Sequence, residues 1–96
     1  MTGTTNSLEE EEREGSTELQ VFPNPSTGTV TVLLQDAEPD QVSSIRLFDG
    51  VGKLLLTRTM TGAKTVVDVK QPDGMYTLVV THGNEAHAVR LILKTP

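Results

Sequence analysis

The chain contains no cysteine and no tryptophan, and its aromatic residues are limited to two phenylalanines and one tyrosine. Without cysteine, neither a disulfide nor a thiolate metal site can hold the fold together. With so few aromatic faces, stacking on bases or sugars is poorly served, which argues against a nucleic-acid or carbohydrate reader. No apolar run approaches the roughly 20 residues needed to span a bilayer as a helix. The opening Met-Thr-Gly-Thr-Thr lacks the basic and apolar regions of a signal peptide. Helical spacing of apolar residues is missing as well, so helical architectures are disfavoured. At 96 residues the chain suffices for one small domain.

Charge is unevenly placed, and that sets the expected domain boundary. Residues 1–18 hold Glu9, Glu10, Glu11, Glu12, Glu14 and Glu18 against Arg13 alone, a net charge of −5. Residues 19–96 hold seven acids and seven bases, so the acidity belongs entirely to the leading segment. A block of like charge flanked by Gly3, Gly15, Ser7 and Ser16 has too little apolar surface to bury, and residues 1–18 are expected to be a flexible acidic linker. The neutral stretch 19–96 is the expected folded unit.

That stretch is rich in strand formers: 14 Thr and 11 Val occur in the chain. Seven short runs are expected as strands: Leu19–Phe22, Thr29–Gln35, Ser44–Phe48, Lys53–Met60, Thr65–Val69, Met75–His82 and Ala86–Lys94. Val30, Val32 and Leu34 alternate with Thr29, Thr31 and Leu33, and Ile45 and Leu47 flank Arg46, the period of a half-buried strand. Seven such strands without crossover helices predict an all-β, immunoglobulin-like antiparallel sandwich. Between the last two, Gly83-Asn84 suits a type II′ turn, which opposes residue 82 to 85, 80 to 87, 78 to 89 and 76 to 91. Tyr76, Leu78 and Val80 then share a face with Leu91, Val89 and His87, and a one-residue slip would drive Arg90 into that face.

Val21-Phe-Pro-Asn-Pro-Ser-Thr-Gly28 stands apart from these runs. Pro23 and Pro25 fix φ and lack an N–H, so the segment is an edge or a sharp connection. Asn24, Ser26 and Thr27 offer short side chains that bond nearby backbone. Candidates for chemistry fare less well. A zinc site needs three converging ligands, and His82 and His87 are expected on opposite faces of the hairpin. The Glu9–Glu12 run lacks the spaced oxygens of a calcium loop. Asp49-Gly-Val-Gly52 lies between two strands with no following helix, which favours a hairpin turn over a phosphate cradle. No serine elbow or activated nucleophile is present. No enzyme, no metal and no cofactor are expected.

Four segments in order resemble a known family: Phe22-Pro-Asn-Pro-Ser-Thr-Gly28, Arg46-Leu-Phe-Asp-Gly-Val-Gly-Lys53, Asp73-Gly-Met-Tyr76 and Arg90-Leu-Ile-Leu-Lys94. Together they look like the type A C-terminal sorting domain of the type IX secretion system, over residues 19 to about 94. The resemblance implies a secretion signal. A cargo fused upstream reaches the periplasm by its own signal peptide, and the folded domain is recognised by an outer-membrane translocon. A sortase-like peptidase then removes it at the preceding linker, leaving the cargo secreted or at the cell surface. By motif position the recognition residues are Pro23, Asn24, Pro25, Gly28, Asp49, Gly52, Lys53, Gly74, Tyr76 and Lys94. Arg90, also on the last strand, is not required for folding and is expected in the docking surface. Gly15, Ser16 and Thr17 are the expected cleavage neighbourhood. Gln71-Pro72-Asp73 replaces the leucine-bearing turn common before the family's G-x-Y, and the chain continues past Lys94 through Thr95-Pro96.

Each motif residue also has a purely structural reading. Gly28, Gly52 and Gly74 suit turns, and Tyr76 suits a core position with its hydroxyl on solvent or backbone. The alternative function is a non-catalytic immunoglobulin-like adhesion or spacer module. An unprotected edge strand would permit a weak edge-paired dimer beside the monomer.

Overall fold

The computed structural model describes residues 19–96; the expected linker 1–18, with Gly15, Ser16 and Thr17, lies outside the described residues. Seven strands follow in order: β1 (Leu19–Phe22), β2 (Thr29–Leu34), β3 (Val42–Phe48), β4 (Leu54–Thr61), β5 (Lys64–Asp68), β6 (Gly74–His82) and β7 (Glu85–Leu93). They form a three-stranded sheet ordered β1-β2-β5 and a four-stranded sheet ordered β4-β3-β6-β7. All named strand pairs are antiparallel. The two sheets pack as an immunoglobulin-like sandwich, as the sequence predicts. Strand ends differ from expectation by one or two residues. Lys53 falls in the β3–β4 turn and Lys94 just beyond β7.

The core follows from alternation. Val30, Val32 and Val67 of the small sheet face Ile45, Leu47, Leu78, Val80 and Leu91 of the large one, all nearly or completely buried. Each such side chain contributes about 1.5–3 kcal/mol relative to leaving it in water. The outer edge of the large sheet is β4, where Leu47 pairs with Leu56 and Phe48 with Leu54. Leu55 is thus the extra residue of a bulge and leans, half-buried, on the core. A bulge twists an edge away from further pairing, one device that keeps sandwiches from adding strands.

The β6–β7 hairpin has the expected register throughout, from His82↔Glu85 to Tyr76↔Leu91 and on to Gly74↔Leu93. Gly83 has φ +58 while Asn84 has no positive φ, the combination that defines a type II′ turn. The histidines correct the sequence reading. Side chains share a face every two residues, so His82 lies on the face of Val80, and Val80 pairs with His87. Both rings therefore lie on one side and border one cleft of about 300 Å³, with Asp36 and Glu85. His82 Nδ1 lies 3.2 Å from the Val42 carbonyl oxygen, and His87 Nε2 lies 3.6 Å from Glu85 Oε1. No group of three metal-ligating side chains converges among the described residues.

The sandwich has two distinct ends. At one end β1 begins at Leu19, opposite Leu34, close to the start of β5 at Lys64. The Gly83-Asn84 turn shares this end, since Leu34 borders the same cleft as His82 and Glu85. At the other end β1, β3, β5 and β7 finish while β2, β4 and β6 start. We call these the entry end and the far end.

Candidate functional site

The far end gathers all four sequence motifs, although they come from separate parts of the chain. Pro23–Gly28 links β1 to β2, Asp49–Lys53 links β3 to β4, Asp73–Tyr76 opens β6, and Arg90–Lys94 closes β7. Three of the four are physically joined.

The Pro23–Gly28 corner crosses from the small sheet to the free edge of β7. Both Phe22–Pro23 and Asn24–Pro25 are cis. Asn24 Nδ2 donates to the Arg90 carbonyl at 2.7 Å, and the Ile92 N–H donates to Asn24 Oδ1 at 2.9 Å. Two residues on, the Ser26 N–H donates to the Ile92 carbonyl at 2.9 Å and the Lys94 N–H to the Ser26 carbonyl at 2.8 Å. These last two make a parallel bridge between Ser26 and Leu93. The corner therefore behaves as a short strand laid along β7, with a side-chain amide replacing one peptide. Ser26 is buried, and its hydroxyl is used twice: it donates to the Thr29 carbonyl at 2.9 Å and accepts from the Gly28 N–H at 3.0 Å. A buried hydroxyl needs such partners. Gly28 also accepts from the Val69 N–H at 2.6 Å, extending the β2–β5 pairing.

The Asp73–Tyr76 motif packs against the same stretch of β7. Gly74 pairs with Leu93, Met75 with Ile92 and Tyr76 with Leu91. Tyr76 is buried to 8 % exposure, and its hydroxyl donates to the Pro72 carbonyl at 2.5 Å. A tyrosine at the start of this strand whose hydroxyl returns to backbone a few residues upstream is the corner device of immunoglobulin-like sandwiches. The expected core position with a backbone-reaching hydroxyl is thus observed. Asp73 fixes the end of the chain: its carboxylate accepts from the Thr95 N–H at 3.1 and 3.2 Å and from the Thr95 hydroxyl at 3.0 Å.

Asp49–Lys53 shares the far end and is closed by its own hydrogen bonds. Asp49 Oδ1 accepts from the Val51 and Lys53 N–H groups at 3.0 and 2.9 Å, and the Gly52 N–H donates to the Asp49 carbonyl at 3.1 Å. Gly52 sits at φ +88, which side chains with a Cβ rarely adopt. Asp49 and Gly52 thus shape the turn, and Lys53 is left projecting.

The motif positions separate into two kinds. Pro23, Asn24, Pro25, Gly28, Asp49, Gly52, Gly74 and Tyr76 build the far end through backbone geometry or internal bonds. Lys53, Arg90 and Lys94 are exposed, and none of their side chains forms an ion pair or side-chain hydrogen bond among the described residues. Ser26 and Asp73 also build the site, and the sequence does not announce either. Their partners lie up to 68 and 22 residues away, and no local pattern signals them. Edge pairing along the last strand is also restricted, because Asn24 and Ser26 already occupy β7 from Arg90 to Lys94. A cleft of about 710 Å³ between the edges of β4 and β5 is lined by Leu55, Leu56, Val66 and Val67 with Arg58 and Lys70.

No curated protein matches the chain. The family described as "Secretion system C-terminal sorting domain" matches residues 20–94, nearly all of the described sandwich and every one of the four motifs. This chain belongs to the secretion system C-terminal sorting domain family, the sorting domains of type IX secretion, which mark secreted or cell-surface proteins.

Proposed function

We propose that the sandwich is a non-catalytic sorting signal, read at its far end as a folded object by the outer-membrane translocon of the type IX system. The observation that carries this reading is the convergence of four separated motifs on one end, with the exposed cations Lys53, Arg90 and Lys94 around it. On this reading Pro23, Asn24, Pro25, Gly28, Asp49, Gly52, Gly74 and Tyr76 act by holding the shape, while the three cations make contact. The cargo is fused before residue 19 and passes through the periplasm after export by an upstream signal peptide. A sortase-like peptidase cuts within the acidic segment 1–18, in the neighbourhood of Gly15, Ser16 and Thr17. Peptidases take extended, unpacked chain.

The alternative, an adhesion or spacer module, places function on loops at either end and has no need of a fixed far end. The two readings part on one experiment. A signal peptide and fluorescent reporter are fused ahead of residues 1–96 and expressed in a host with the type IX system. The expected result is reporter in the medium or on the cell surface, with Lys94→Glu reducing it while the melting temperature is kept. Truncation is a poorer probe, since removing residues 91–96 also removes Leu91 and Leu93 from the core. Wild-type reporter retained in the periplasm overturns the proposal.

A further inference from the structure

The outward face of the four-stranded sheet is unlike the rest of the surface. An antiparallel sheet with one wet side normally alternates apolar-in with polar or charged-out residues. Here the outward rows follow from the pairings. Leu54, Phe48, Thr77 and Arg90 form one row, Thr57, Arg46, Val79 and Ala88 the next, and Thr59, Ser44, Thr81 and Ala86 a third. Met75 and Ile92 extend the face towards the far end.

Within the paired rows two charges stand on this surface, Arg46 and Arg90, and they have the same sign. Both are exposed, and neither side chain has an ion pair or hydrogen bond among the described residues. The seven acids of residues 19–96 all lie elsewhere. Asp36, Glu38 and Asp40 precede β3, Asp49 is consumed in its turn, and Asp68 closes β5 in the other sheet. Asp73 holds Thr95, and Glu85 sits on the inward side beside His87. The outward face of the small sheet, by contrast, carries Lys64 and Asp68 together.

We infer that the outward face of the β4-β3-β6-β7 sheet is a docking surface for a protein partner that presents carboxylates to Arg46 and Arg90. The inference rests on the sorting-domain reading and extends it from the far end to a sheet face. Charge complementarity selects the partner's sign. Strand spacing and rise put the two arginines about 12 Å apart across β6, so each meets its own carboxylate. The face spans roughly 20 by 25 Å, the low end of specific interfaces, where transient contacts lie. Transience suits a tag that has to be handed on. A lipid surface fits less well, because it calls for a cluster of roughly four to eight cations or for protruding bulky apolar anchors. Two arginines fall short of that cluster, and the exposed apolar side chains of the face, Leu54 and Met75, stand singly on strands that are not neighbours.

The test uses the full chain fused to the secreted reporter. Arg46→Glu with Arg90→Glu is expected to cut reporter export by about tenfold or more, since each reversal sets like charges against each other. Lys64→Glu, an equally exposed reversal on the other sheet, is expected to leave export unchanged. Arg46→Lys with Arg90→Lys, which keeps the sign, is expected to restore most of it. All variants should melt with the wild type. The purified wild-type fusion is also mixed with phosphatidylglycerol vesicles, and it should not sediment with them. Export of the double reversal at the Lys64→Glu level overturns the inference while leaving the sorting function intact. Failure of the wild-type fusion to export instead overturns the underlying reading. Vesicle binding that the double reversal abolishes overturns the protein partner in favour of a lipid surface.

Discussion

The side-chain amide of Asn24 stands in for a peptide unit beside Ile92. Its Oδ1 accepts the Ile92 N–H at 2.9 Å while its Nδ2 reaches back to the Arg90 carbonyl at 2.7 Å. A primary amide carries one acceptor and two donors at nearly the spacing of a backbone unit, so asparagine alone among short side chains can make both bonds. The sheet thus gains a closing strand at a place where two prolines prevent an ordinary one.

Asn24→Ala is accordingly expected to lower stability by about 1–2 kcal/mol, the sum of two exposed hydrogen bonds. In a domain of this size that corresponds to roughly 5–10 °C in a thermal melt. Asn24→Asp should cost more, because a carboxylate keeps the bond from Ile92 but faces the Arg90 carbonyl with no proton to give. Equal melting temperatures for wild type and Asn24→Asp would refute this account of the corner.

Tyr76→Phe removes only the hydroxyl and leaves the Pro72 carbonyl without that donor. The expected loss is about 1–2 kcal/mol in denaturant unfolding, with the slope of the transition unchanged. Tyr76→Ala opens the core as well and should cost about 3–5 kcal/mol.

Asp73→Ala should act locally. Thr95 loses both its backbone and its hydroxyl partner, so amide exchange there should approach that of a free chain end. Exchange at Tyr76 and Leu91 in the core should be unchanged, and hydrogen exchange by NMR reads both.

Gly62 is buried at φ +81, and a methyl added there would come within 3.3 Å of the Pro39 carbonyl oxygen. Gly62→Ala therefore combines backbone strain with a contact against backbone that cannot yield easily. A loss of about 1–2 kcal/mol is expected from the left-handed conformation alone. Gly50→Ala is the control, since nothing lies within 4 Å of its added carbon and its φ is not in the left-handed range.

The sandwich was legible because its information is local. Alternation in Val30-Thr-Val-Leu-Leu34 names the inward side, and Gly83-Asn84 fixes the register of nine pairs behind it. The type of each far-end residue was legible too, since proline, glycine and aspartate declare turns. What they turn towards was not. The Asn24–Ile92 and Ser26–Leu93 contacts join residues with no pattern between them, and only the packing of one sheet over the other brings them together. The face of His82 is readable in the sequence: counting in twos from Val80 puts both histidines on one side, not on opposite faces. The isolation of Arg46 is not legible in the sequence, because it depends on where seven distant acids end up.

The Asn24 clasp spans 68 positions of sequence and closes on β7, the last strand of the sandwich. A product that stops short, or that is nibbled past Ile92, keeps most of its strands but has no clasp. The end that carries the motifs therefore forms only in a sandwich made through Ile92, and a receptor that requires it would pass over a domain cut before that point.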